Sequence, residues 1–165
     1  MNIFFLDINP VKAAEMHCDK HVCKMIIETA QMMSTIHVRY GRENPPYKPT
    51  HAKHPSTLWA GDNVLHYDWL RVLGLELCRE YTKRYGKIHK TETIIKCLWK
   101  PPLGMPTLEW QDPPQCMPDD YKCDDAVKAY QKYYIGDKSR FAKWAHLTKP
   151  PKWWPTVAQV VDCKV

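Results

Sequence analysis

Residues 17 to 35 place several polar side chains, among them two histidines, a lysine and a carboxylate, on one side of a predicted helix. At about 100° per residue, their spacing of four, three, four, three and four keeps them within one stripe. The stripe contains His17, His21, Lys24, Glu28, Gln31 and Thr35. Apolar residues flank it, and burying such groups costs several kcal/mol unless they pair, bind a ligand or line a wet cleft. We therefore expect the chemistry of the protein on this helix.

A lysine one helical turn before a glutamate suits nucleophilic and acid–base chemistry. Lys24, if desolvated between the apolar sides, could form a Schiff base with an aldehydic sugar, while Glu28 moves the proton. The sequence predicts Lys24, Glu28 and His21 as catalytic residues. The alternative is an ordinary ion pair between Lys24 and Glu28 on a helix surface, with the histidines as partly exposed spacers.

The segment from residue 40 to residue 55 contains one glycine and four prolines and is predicted to be a cationic loop. Cations and a following helix start are typical of phosphate binding. The predicted phosphate-binding residues here are Arg39, Lys48, His51, Lys53 and His54. The alternative is a divalent transition metal, zinc, iron or manganese, held with Glu28 by four histidines. Those histidines are His17, His21, His51 and His54. The crowding of cations favours the anion, so no cofactor is predicted.

A second basic segment, residues 80 to 90, alternates cations with tyrosines at the end of a predicted helix. Its cations could pair with DNA phosphates while Tyr81 or Tyr85 packs on a sugar or base. The predicted phosphate-binding residues are Lys83, Arg84, Lys87 and Lys90. The alternative is that these cations compensate the helix dipole and the tyrosines belong to the core.

Composition favours a polyanionic partner. The chain of 165 residues has a net charge of +6, and its aromatic residues are seven Trp, nine Tyr and three Phe, which suit base stacking as well as a core. Seven cysteines and a beginning without a secretion signal pattern predict reduced thiols in the cytoplasm, the host cytoplasm if the protein is viral. No apolar run reaches membrane-spanning length. The expected partner is DNA or a nucleotide.

The pattern of periodic segments predicts one mainly α-helical domain over residues 1–165, with long proline-rich loops at 40–55 and 100–122. A long helix is expected over 10–37, starting at Asn9-Pro10. A second, broken near Gly61, should run over 55–85 and end at Gly86. Shorter helices are expected over 91–99, 124–135 and 137–146. The adjacent Trp153 and Trp154 are predicted to anchor a returning tail, with a base-stacking wall as the alternative.

The order of these signals resembles a family of small helical proteins of tailed phages and environmental viral genomes. The residues that carry the resemblance are Asp19-Lys20-His21-Val22 with Lys24-Met25 and Glu28, Thr50-His51, His54-Pro55, Trp59, Tyr67-Asp68-Trp69-Leu70, Glu80-Tyr81 with Arg84-Tyr85-Gly86-Lys87, and Met117-Pro118 with Tyr121.

The layout also resembles the phage pyrimidine-dimer DNA glycosylases, which are small, basic and mainly helical. Their first long helix carries a catalytic glutamate, and they attack the sugar C1′ with an α-amine exposed by removal of Met1. Here residue 2 is Asn, which normally blocks that removal. The resemblance therefore implies that the amine is that of Met1 itself or of a lysine such as Lys24.

Together these observations predict an enzyme that processes DNA or a nucleotide, with a DNA glycosylase/lyase as the specific form. Two alternatives stay open at this point. One is a metal-dependent enzyme with a histidine and glutamate site, and the other is a non-catalytic nucleic-acid-binding phage accessory protein.

Overall fold

The computed structural model describes residues 1–146 and 148–155, and within this part of the chain the regular structure is helical, with no strands. The α-helices are α1 (Pro10–Met16), α2 (Asp19–Arg39), α3 (Pro55–Gly61), α4 (Val64–Tyr85), α5 (Glu92–Cys97) and α6 (Ala126–Lys138). A short 3-10 helix covers Asp119–Tyr121. The mainly α-helical fold with long proline-rich loops is confirmed. Residues 156–165 of the predicted domain lie outside the described residues.

The single helix predicted over 10–37 is wrong, because α1 and α2 are separate helices. Asn9 caps α1 by accepting from the backbone N–H groups of Val11 and Lys12. At His17 and Cys18 the backbone becomes extended, with ψ of 135° and 159°. The Cys18 N–H donates to the Tyr134 hydroxyl at 3.0 Å instead of to a helical carbonyl. A tertiary hydrogen bond, which sequence periodicity does not report, thus separates the two helices.

The predicted break near Gly61 is confirmed between α3 and α4. The side chain of Asn63 accepts from the backbone N–H of Leu65 and so caps the start of α4. Gly86 ends α4 in the left-handed conformation, with φ of 65°, as the sequence predicted.

The core forms around the first residues of the chain. Ile3, Phe4, Phe5 and Leu6 are all buried, and α4 packs against both α1 and α2. Helices α2 and α4 approach closely at Gly74, where an added Cβ would lie 2.7 Å from Thr29 Cγ2. Because the N-terminal segment is threaded into this core, its first residues are held in place beside α2.

The helix predicted over 137–146 is wrong beyond Lys138, where α6 ends. The backbone there pairs with the start of α2 instead. Asp19 N donates to the Lys143 carbonyl at 2.9 Å, and Ala145 N donates to Asp19 Oδ2 at 2.7 Å. The segment after α6 therefore docks onto the helix that carries the polar stripe.

The tryptophans near the end of the described chain are packing residues. Trp144 Nε1 donates to the Met16 carbonyl at 3.2 Å, and Trp153 Nε1 contacts Met16 Sδ at 3.3 Å. Trp154 lies 4.8 Å from Trp144 between ring centroids. The anchoring role predicted for Trp153 and Trp154 agrees with this placement. None of the described helices is long and apolar enough to cross a membrane.

Candidate active site

A cavity of about 420 Å³ lies between the N-terminal segment, α2, and α6 with the residues that follow it. Its walls combine four cations and one carboxylate with aromatic rings, and they include all three predicted catalytic residues. The lining residues are Met1, Asn2, Phe4, Lys20, His21, Lys24, Met25, Glu28, Cys116, Tyr133, Lys138, Arg140 and Phe141. The three predicted catalytic residues, His21, Lys24 and Glu28, therefore share one cavity.

Glu28 is the acidic centre of this cavity, and its carboxylate faces the beginning of the chain. Its side chain is 12% exposed. Glu28 Oε2 accepts from the backbone N–H of Asn2 at 3.2 Å and lies 3.9 Å from the α-amine of Met1. Its other oxygen, Oε1, lies 3.1 Å from Lys24 Nζ. Two amines, one terminal and one from a lysine, thus lie by the same carboxylate, one near each oxygen.

The N-terminal residues are fixed by contacts from several elements. Asn2 Nδ2 donates to the Cys116 carbonyl at 3.0 Å, and Asn2 Oδ1 accepts from the Tyr130 hydroxyl at 3.2 Å. The Met1 side chain is only 2% exposed, and its sulfur accepts from the Thr57 hydroxyl at 3.5 Å. The α-amine is consequently held beside Glu28 rather than on a free chain end.

Lys24 is more exposed than the stripe pattern predicted. Its side chain is 62% exposed, so the desolvation that was expected to activate its amine is absent. That part of the prediction is wrong, because the apolar neighbours of Lys24 on α2 turn into the core while its amine reaches the cavity mouth. Lys24 therefore lies at the solvent-exposed rim of the cavity.

His21 forms the buried wall of the cavity. It is 5% exposed, and its ring stacks on Phe4 with 4.4 Å between centroids. Nδ1 is paired with the Tyr134 hydroxyl at 2.8 Å. That hydroxyl accepts from Cys18 N and so has its own proton to donate to His21 Nδ1. Burial, with the nearby cations, lowers the pKa of His21 to about 2, so its ring is neutral and carries its proton on Nε2.

Lys138, at the end of α6, contributes a fixed cation on the opposite wall. Its Nζ donates to Asp137 Oδ2 at 2.6 Å and to the Tyr133 hydroxyl at 3.2 Å. It also lies 4.5 Å from the centre of the Tyr133 ring. These partners raise the pKa of Lys138 against the opposing effect of burial, and they keep it as an ammonium group.

The cationic loop before α3 is joined to α2 one to two turns beyond Glu28. Thr50 N donates to the Thr35 hydroxyl at 3.0 Å, and that hydroxyl lies 3.1 Å from the Thr50 carbonyl. His54 caps α3 by accepting from Ser56 N at 3.2 Å. Burial and the neighbouring Met1 ammonium lower the pKa of His54. Lys48, His51 and Lys53 are exposed, whereas Arg39 pairs with Asp62 at 2.7 Å.

The basic segment after α4 divides into surface cations and one buried residue. Lys83, Lys87 and Lys90 are exposed. Arg84 is not, because its side chain is 0% exposed and pairs with Asp19 Oδ1 at 3.1 Å and Glu80 Oε2 at 2.9 Å. Its remaining donors reach the carbonyls of His17 and Glu15. The phosphate-binding role predicted for Arg84 is therefore wrong, since the guanidinium joins α4 to the start of α2.

The histidines of the alternative metal site do not come together. Among the described residues no group of three His, Cys, Asp or Glu side chains is placed to hold a metal ion. The rings of His17 and His21 are 6.5 Å apart between centroids. His17 instead donates from Nδ1 to the Ala13 carbonyl at 2.6 Å, inside the core.

The two buried histidines should make the free energy of unfolding depend on pH in the acidic range. Burial lowers the pKa of His17 to about 4 and that of His21 to about 2, below their unfolded value of 6.5. The folded state then binds fewer protons, so stability falls as pH drops below about 6.5. We expect each histidine to cost about 2 kcal/mol of unfolding free energy between pH 7.5 and pH 5. Urea unfolding at both pH values measures this, and equal free energies would contradict the buried neutral rings.

Sequence reasoning missed part of this site. Neither the place of Phe4 beside His21 nor the contact of Asn2 with Glu28 was predicted. Lys138 and Arg140, which line the same cavity, were also absent from the predicted site residues. The sequence does show a glutamate on the polar stripe and an apolar N-terminal segment. It does not show that the two lie side by side, because tertiary packing decides their relative position.

A small helical protein with an α-amine and a carboxylate close together in a cationic cavity has the groups that nucleophilic amine chemistry requires. The family model described as pyrimidine dimer DNA glycosylase matches residues 1–93, which include Met1, His21, Lys24, Glu28 and His54. The chain belongs to this family. Comparisons with curated proteins and with solved structures gave no significant match. Family membership supports a DNA glycosylase-like function on DNA, and the resemblance to tailed-phage proteins stays a prediction.

Proposed function

We propose that the protein is a DNA glycosylase/lyase that removes a damaged pyrimidine, with the α-amine of Met1 as nucleophile and Glu28 as the proton-transfer group. The single observation that carries the proposal is the 3.9 Å separation between that amine and Glu28 Oε2. Membership of the pyrimidine dimer DNA glycosylase family supports the substrate class, a pyrimidine dimer in DNA.

The reaction needs an amine without its proton, and Glu28 is the base within reach. The amine attacks C1′ of the damaged nucleotide, the C1′–N1 bond breaks, and its electron pair leaves with the pyrimidine. The amine then gives a second proton to Glu28, the nitrogen lone pair breaks the C1′–O4′ bond, and O4′ takes up that proton, so that a protonated Schiff base forms on the opened sugar. Removal of a C2′ proton then expels the 3′ phosphate, which is the lyase step. Glu28 serves each transfer from its place beside the amine.

Lys24 has a different role in this proposal from the one that its sequence spacing suggested. It pairs with Glu28 Oε1 at 3.1 Å and keeps most of its side chain in solvent. An exposed ammonium group at a cavity mouth can bind a DNA phosphate, because the desolvation free energy that this binding costs is small. Lys20 and Arg140, both exposed at the same rim, extend this cationic surface.

The activity itself is tested on a duplex that carries one cyclobutane pyrimidine dimer at a known position. The protein is expected to cut the damaged strand at the dimer and to leave an undamaged duplex of the same sequence intact. A duplex with a single abasic site isolates the lyase step. Binding without cutting of either damaged duplex would favour the non-catalytic nucleic-acid-binding protein instead.

The salt dependence of DNA binding separates the two proposed phosphate surfaces. Replacing Lys20 and Arg140 by Gln should reduce the slope of log affinity against log salt by about one per lost contact. The matched pair on the other basic segment is Lys83→Gln with Lys87→Gln. An unchanged slope for either pair would remove that surface from the DNA interface, and Lys128→Gln, on α6 and paired with Asp125, is the control for charge alone.

A further inference from the structure

A second cavity, of about 600 Å³, opens between the end of α2 and the segment that follows α5. Its size lies within the range of small-ligand pockets. Its lining residues are His37, Tyr40, Gly41, Arg42, Lys96, Cys97, Trp99, Lys100, Pro101, Pro102 and Leu103. We call it the Trp99 groove. Nothing in the reaction at Glu28 uses it.

The Trp99 groove lies on the other side of α2 from the active-site cavity. Glu28 and His37 are nine residues apart on that helix, which is about 180° of rotation and about 14 Å of rise. A nucleotide bound at Glu28 therefore does not fill the groove, and any ligand there is held by a separate set of contacts.

Trp99 provides an aromatic surface in this groove, and its ring is held in place by a neighbouring arginine. The Arg71 guanidinium stacks on its ring, with Cζ 3.6 Å from the ring centre. Arg71 is itself oriented by Asp68, whose Oδ1 accepts from Nε at 3.2 Å and from Nη2 at 3.0 Å. Although Arg71 stacks on its ring, half of the Trp99 surface remains exposed to solvent. A tryptophan with one face occupied by a fixed cation and the rest accessible is suited to stacking against a planar base.

The charge around Trp99 is positive. Arg42, Lys96 and Lys100 line the groove, and among its described lining residues there is no carboxylate. Lys96 is paired with Glu92 at 2.5 Å, whereas Arg42 contacts the Asn44 carbonyl and Cys97 Sγ. Lys100 is exposed directly after Trp99. An aromatic surface beside cations matches the two parts of a nucleotide, a base that stacks and a phosphate that pairs.

We propose that the Trp99 groove binds an unpaired nucleotide of a DNA strand, with the base on Trp99 and the phosphate at Arg42 and Lys100. The choice of DNA among polyanions rests on the proposed function, but the groove and its contacts do not depend on the reaction at Glu28. The site would give the protein a second hold on DNA, away from the damaged nucleotide.

Cys97 provides a direct probe because it lies in the groove and is exposed. The probe ligand is a five-nucleotide single-stranded DNA without damage. Saturating oligonucleotide should slow alkylation of Cys97 by iodoacetamide about 10-fold, as followed by peptide mass spectrometry. Cys123, partly exposed and outside both cavities, serves as the internal reference whose rate should not change.

Substitution gives the second arm of the test. Trp99→Ala should weaken binding of the oligonucleotide at least 5-fold and remove the protection of Cys97. Leu108→Ala, an exposed apolar residue in another surface cavity, is the matched control and should leave both unchanged. Unprotected Cys97 at saturation, or wild-type affinity in Trp99→Ala, would overturn the proposal. Adduct formation with abasic DNA in the same samples reports separately on the Glu28 cavity, so a failure of one site is distinguishable from a failure of the other.

Discussion

Borohydride reduction in the presence of DNA with an abasic site should trap a covalent adduct on the α-amine of Met1. The expectation follows from the position of that amine, 3.9 Å from Glu28 Oε2 on a chain start whose side chain is buried. An amine in this place can form a Schiff base with the ring-opened sugar, and reduction makes the bond permanent. Peptide mapping by mass spectrometry identifies the residue that carries the sugar.

Lys24→Arg is the decisive control for this prediction, because arginine keeps the charge but does not lose a proton near neutral pH. The adduct should persist in this variant at close to the wild-type yield. An adduct that maps to Lys24, or one that disappears in Lys24→Arg, would transfer the nucleophile to the lysine and contradict the role of Met1. Mapping to Asn2 would show that Met1 is removed and that the amine exposed behind it, whose nitrogen lies 3.2 Å from Glu28 Oε2, performs the attack.

Glu28→Gln should lower the rate of strand cutting at a pyrimidine dimer by roughly 100-fold or more. Glutamine keeps the size of the side chain and can still contact Asn2 N and Lys24, but it does not accept a proton from the amine. Single-turnover kinetics at saturating enzyme measure the chemical step without the effect of affinity. Circular dichroism and urea unfolding at pH 7.5 should show a folded protein.

A matched variant for Glu28 is Glu76→Gln, which removes another ion-paired carboxylate, on α4 and bound to Arg79. It should cut DNA at the wild-type rate. Full activity in Glu28→Gln would show that the contact of Glu28 with the N-terminus has only a structural role.

Local sequence patterns were sufficient to predict the features that depend on residues close together in the chain. The start of α1 at Asn9-Pro10, the break after Gly61 and the end of α4 at Gly86 follow from capping and backbone preferences, which act within a few residues. The polar stripe on α2 likewise placed His21, Lys24 and Glu28 in one cavity.

The remaining features depend on residues distant in the chain. Cys18 N is taken by Tyr134, so one long predicted helix becomes two. Arg84 is buried because it forms ion pairs with Asp19 and Glu80, although nearby cations in the sequence are exposed. The spacing of Lys24 also gave no indication that the start of the chain would lie against Glu28. Each outcome is decided by a tertiary partner that a local pattern does not contain.

The nucleophilic role of the Met1 amine is tested most directly by measuring how fast the protein cuts a dimer-containing duplex after this amine has been moved. Two added residues, Gly-Ser, placed before Met1 carry the amine up to about 7 Å further along the chain. This extended protein should still bind the duplex but cut it at least 100-fold more slowly and yield no borohydride adduct. Wild-type cutting by the extended protein, with its extension confirmed by intact mass, would contradict the role of the Met1 amine as nucleophile.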